Sequence, residues 1–62
     1  MTVRVKHDLV LVDGSGIAAG EILTVHDIRT VTASEGKNVY RYFVRRNGKI
    51  VQLKPGDVDV IE

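Results

Sequence analysis

Apolar and polar residues alternate along most of this chain, and the alternation breaks wherever turn-forming residues cluster. Val3 and Val5 alternate with Arg4 and Lys6, the period-2 pattern of a half-buried strand. His7-Asp8 interrupts it, and Leu9 to Val12 is a short apolar run stopped by the turn cluster Asp13-Gly-Ser-Gly16. Ile17 to Gly20 is too short for a helix and reads as the return arm of that loop. Glu21 to Thr32 is rich in β-branched residues and free of glycine and proline, so it predicts a long strand. Leu23 and Val25 share one face of it, and Asp27 marks a bend or bulge after which Ile28 reopens the pattern.

Asn38 to Leu53 carries the clearest signal. Two strand-like runs meet at Asn47-Gly48, the pair that a two-residue type I′ turn selects because both central positions need positive φ. The turn sets Arg46 against Lys49, Arg45 against Ile50, Val44 against Val51, Phe43 against Gln52 and Tyr42 against Leu53. One face then holds Tyr40, Tyr42, Val44, Val51 and Leu53 and reads as core. The other holds Arg41, Phe43, Arg45, Ile50 and Gln52. Burying it would strand two arginines without carboxylates, so it is the surface left for a partner. Gly36 supplies a positive φ in the preceding loop. Lys54-Pro-Gly-Asp57 predicts a type II turn with Gly56 at its permissive position. Val58 and Val60 lie on one side of a final strand.

Five or six short strands and no helical period give an all-β, mostly antiparallel chain, residues 1–62 forming a single domain. An open sheet would leave its apolar face uncovered, which points to a small barrel or a two-layer sandwich. A domain of this size hides only about 60% of its unfolded surface, and with no cysteine it is held by packing alone. No apolar run is long enough for a signal peptide or a membrane span. The expectation is a cytoplasmic protein without membrane contact. The net charge is +1, but it is unevenly spread: Arg29 to Lys54 holds seven of the nine basic residues and one acid, for +6, and the remainder carries −5.

The order of these elements resembles the Src-homology 3 (SH3) barrel and its bacterial and phage relatives. Gly20 to Val25 looks like the entry to that fold's second strand. Tyr42 to Ile50 resembles its third and fourth strands with their tight turn, with Val44, Leu53 and Val58 at positions matching its core. The resemblance implies a small SH3-like barrel over about Val3 to Ile61 and carries no diagnostic motif. Peptide-binding members of the family show proline-rich ligands an aromatic shelf. Here the first arm is Leu9 to Val12, Arg41 lies where the shelf's tryptophan would, and the final turn has no aromatic residue. Recognition of proline-rich peptides is therefore disfavoured.

No catalytic set is apparent. His7-Asp8 and His26-Asp27 are the only His-carboxylate neighbours, and adjacent strand residues point to opposite faces. Neither pair forms a relay, and without cysteine the two histidines do not suggest zinc. Ser15 lacks the lysine and helix of a phosphate loop and reads as a turn residue. The chain is expected to be non-enzymatic, with no cofactor and no metal. The basic hairpin remains: Arg41, Phe43, Arg45, Arg46, Lys49 and Ile50, with Lys37 nearby. Arginines around an apolar pair fit a protein interface, which is the favoured reading, in a small regulator or adaptor. A ridge that pairs with phosphates while Phe43 stacks on a base is the nucleic-acid alternative. A homodimer is open through the same patch or an exposed edge strand.

Overall fold

The computed structural model describes residues 1–62. Seven strands run in chain order: β1 Thr2–Val5, β2 Leu9–Val10, β3 Gly16–Ile17, β4 Ile22–Thr32, β5 Asn38–Arg46, β6 Lys49–Leu53 and β7 Val58–Val60. A 3₁₀ turn, Pro55–Asp57, joins β6 to β7. The main sheet has the order β6-β5-β4-β1-β7, all neighbours antiparallel, and β2 pairs only with β3.

The hairpin turn forms as its residues dictate. Asn47 and Gly48 adopt φ of 53° and 76°, and the ladder from Arg46–Lys49 to Tyr42–Leu53 follows without a slip. Its inner face enters the core: Val44 is 1% exposed, and Tyr42 and Leu53 are also buried. Burial raises the Tyr42 phenol above its ordinary value, with Tyr40 adding to the shift. Val3, Val5, Ile17, Leu23, Val25 and Val58 complete one cluster, against which Leu9, Leu11 and Val51 pack partly buried. The bulge in β4 falls between Val25, opposite Val44, and Asp27, opposite Phe43. His26 is thus the extra residue, and Ile28 returns to the face of Leu23 and Val25.

The expected barrel is not there. The structure is two open sheets, with β6 and β7 as the free edges of the larger one, so the SH3-like barrel suggested by the order of elements is set aside. A 3₁₀ turn connects those two edges. Pro55 has no N–H to give, and the 3₁₀ turn uses its own donors inwardly, Asp57 N–H to Lys54 C=O and Val58 N–H to Pro55 C=O. β6 and β7, joined by this turn, share no ladder. The apolar face is covered instead from the β2–β3 hairpin, whose Ile17 is 1% exposed. The same turn corrects a smaller expectation, since Gly56 is not among the positive-φ glycines and the type II turn is replaced by the 3₁₀ turn.

Tyr40 is also corrected. It shares the face of Tyr42 but is 51% exposed, because β6 ends opposite Tyr42 and nothing covers the sheet beyond it. From there β4 and β5 continue as a two-stranded ribbon, with Ile28 exposed and Tyr40 edge-on to Tyr42 at a centroid separation of 5.8 Å. Val51, placed in the core by pattern, is half-buried at the sheet edge.

Candidate functional site

Strand alternation divides the basic hairpin between two faces. Arg41, Phe43 and Arg45 of β5 project outward together with Ile50 of β6, because Arg45 is paired with Ile50 in the ladder. Ile50 is 68% exposed, Arg45 is exposed, and Arg41 and Phe43 are half-buried. Phe43 lies diagonal to Ile50, within reach of a large side chain. The two residues line a shallow hollow of about 390 Å³ with His26, Asp27, Arg29 and Arg45.

The β4 bulge arranges the rim of this hollow. It sets Asp27 opposite Phe43 and Arg29 opposite Arg41. Arg29 Nε then donates to Asp27 Oδ2 at 2.6 Å, and its guanidinium lies 5.5 Å from the Phe43 ring centre, a cation–π contact. The Arg29 hydrogen bond lowers the Asp27 carboxyl pKa, helped by the Ile28 N–H. Arg41 donates to the Tyr40 carbonyl at 2.9 Å. Neither Arg41 nor Arg45 has a carboxylate within ion-pair distance, in contrast to Arg29, Arg46 and Lys49.

Arg46 and Lys49 belong to the other side. Arg46 grips Glu21 with two hydrogen bonds, Nε to Oε2 at 2.8 Å and an Nη to Oε1 at 3.1 Å, in a partly buried setting. This pairing lowers the Glu21 pKa and raises that of Arg46. Glu21 is held for the role at the entry to β4, where its carbonyl accepts the Val5 N–H at 2.9 Å. Lys49 reaches Asp13 at 3.2 Å. Asp13 also accepts the Ser15 hydroxyl and N–H, and these bonds, with Lys49 third, bring its pKa down to about 2. Lys37 pairs with Glu35 in the β4–β5 loop. The six-residue patch of the sequence is therefore a four-residue outward face plus two cations engaged elsewhere. Sequence reasoning missed Arg29, and only the bulge, whose length the pattern left open, brings it over Phe43.

Elsewhere the chemistry is sparse. Ser15 is held in the Asp13 turn. His7 does not face Asp8 but meets Asp57 of the 3₁₀ turn at 3.1 Å, while Asp8 accepts the Ala19 N–H. No three His, Cys, Asp or Glu side chains converge as metal ligands, and no helix is long and apolar enough to cross a membrane. Compared with family models, with curated proteins and with solved structures, the chain finds no match.

Proposed function

We propose that the chain is a non-enzymatic binding module that docks a protein partner on the outward face of the β5–β6 hairpin. The observation that carries this reading is the apolar pair Phe43–Ile50 in its hollow beside Arg45, a cation with no internal carboxylate. A desolvated aromatic and aliphatic centre ringed by arginine is the make-up of interface hot spots. Arg41 and Arg45 offer charge-assisted hydrogen bonds to acidic groups of the partner. Phe43 and Ile50 supply the centre from which water is expelled. Arg46 and Lys49, tied to Glu21 and Asp13, hold the hairpin against the rest of the domain rather than contacting the partner.

The same face suits nucleic acid less well. A base stacking on Phe43 would have to displace the Arg29 guanidinium and break its 2.6 Å bond to Asp27, and Asp27 would then stand uncompensated beside phosphate. The deciding experiment captures partners from the native host, purifies the one retained, and titrates it against the wild type, the double variant Phe43→Ala/Arg45→Ala and Lys49→Ala. The double variant is expected to bind about tenfold more weakly or worse, a loss of at least ~1.4 kcal/mol, with Lys49→Ala unchanged. Equal affinity for all three would remove the reading. Salt-sensitive binding of short DNA or RNA by a chain that retains no protein would transfer the face to nucleic acid.

A further inference from the structure

The open edge of the main sheet at β6 is a recognition element made of backbone. In a hairpin closed by a two-residue turn, the residues flanking the turn exchange both ladder bonds, and such pairs recur at every second residue. Lys49, Val51 and Leu53 therefore direct their N–H and C=O groups at β5. Those of Ile50 and Gln52 point the opposite way, where β6 has no neighbour. No loop supplies partners, since none of the backbone bonds outside the ladders involves either residue.

Edges of this kind are usually protected by proline, a bulge or a free lysine. β6 has no proline and no bulge, and its one lysine is held by Asp13. The opposite edge differs: β7 has three residues, and the Val58 N–H is spent on the Pro55 carbonyl.

We infer that two copies of this chain pair antiparallel through β6, in the two-fold register that sets Val51 against Val51. Only a register centred there lets all the free groups satisfy one another: Ile50 exchanges two hydrogen bonds with Gln52 of the other copy, and Gln52 exchanges two with its Ile50. Such an edge is self-complementary, as a two-fold interface requires. The side chains agree with it. Lys49 faces a leucine rather than a second lysine, and the half-buried Val51 meets its own copy beside a groove of about 420 Å³ lined by Leu11 and the fully exposed Val12. A net charge of +1 per chain opposes pairing little. On the outer face the two Ile50 side chains become diagonal neighbours about 7–8 Å apart, joining two partner-docking faces into one surface.

This inference does not rest on the proposed partner, and its test contains none. Sedimentation velocity from about 10 μM to about 1 mM brackets the affinity of a short edge contact, and amide exchange is followed over the same range. The expected result is a monomer–dimer equilibrium in which the Ile50 and Gln52 amides become protected as dimer forms, while the Val51 amide, bonded to Val44, is slow throughout. Gln52→Pro removes only an outward N–H, a place where a strand accepts proline, and should remain folded and monomeric. Ile50→Lys, at an exposed position, should do the same by adding charge to the edge. A monomer over the whole range, a dimer whose Ile50 and Gln52 amides stay unprotected, or folded variants that dimerise like the wild type would each overturn it. Phe43→Ala/Arg45→Ala should leave dimerisation intact, so failure of one proposal is separable from failure of the other.

Discussion

Val44 and Ile50 occupy the same hairpin and have opposite fates, one 1% and the other 68% exposed. Truncating Val44 removes buried methyl groups and leaves a void, a cost of about 2 kcal/mol. A domain of this size has about 3–5 kcal/mol to lose. Thermal unfolding of Val44→Ala should therefore fall by about 8–16 °C, since each kcal/mol moves the midpoint of a small domain by roughly 4–8 °C. Ile50→Ala should stay within about 0.5 kcal/mol of the wild type. Equal shifts for both would mean that the faces are misassigned. Gly48, at φ 76°, is the second test at this scale. Gly48→Ala forces a side chain into a left-handed conformation and should cost about 1 kcal/mol, read in the same melting experiment. These residues were legible in the sequence because turn chemistry and period-2 alternation are local. Tyr40 was not, because its exposure depends on where the neighbouring strand stops.

Strand β4 does two jobs, pairing with β1 before the bulge and with β5 on both sides of it. His26 separates the two segments as an inserted residue, so the ladder on either side keeps its faces whether or not the bulge exists. Deleting His26 should join Val25–Val44 to Asp27–Phe43 as a regular ladder. The shortened protein should fold with the Thr30–Tyr40 and Val31–Val39 pairings intact, at a cost of about 1 kcal/mol for the lost local twist. Deleting Thr24 instead puts Leu23 and Val25 on opposite faces, which should prevent folding. Amide spectra of the two deletions decide the matter, and a well-dispersed spectrum for the Thr24 deletion would contradict the assigned faces. The sequence marked the irregularity at Asp27 but not the inserted residue, because a bulge shows only as a break in alternation and either neighbour accounts for it. For the same reason the Arg29–Phe43 contact could not be foreseen. Closure of the sheet was overestimated on different grounds, since the need to cover an apolar face is real but a separate hairpin carrying Ile17 meets it.

Over the whole molecule, the uneven charge of the sequence is largely cancelled in space. Asp13 and Glu21, from ahead of the basic segment, reach Lys49 and Arg46 within it, and Asp27 pairs with Arg29 at its start, which leaves Arg41 and Arg45 as the unpaired cations of the outward face. The hydrogen bonds of two of these carboxylates set the acid limit of the fold. Glu21 has a folded pKa below its ordinary value of 4.5, through its hydrogen bonds to Arg46, and Asp13 lies at about 2 against 3.8, chiefly through Ser15. A carboxylate with a depressed pKa binds fewer protons in the folded state than in the unfolded one. Its contribution is therefore complete above the ordinary value and drains away as pH falls through the folded value. Stability should be level near neutrality, begin to fall as the pH drops below 4.5, and continue falling towards pH 2. Glu21→Gln removes the partly buried carboxylate of this limb. At pH ~7 it should lower the melting temperature by about 4–8 °C, corresponding to about 1 kcal/mol for a well-formed bidentate pair. As the pH falls through the folded value of Glu21 the variant and wild type should converge, because the carboxyl is then protonated in both states of the wild type. A gap that does not narrow as the pH falls below 4.5 would show that Glu21 acts through packing and not through its charge on Arg46.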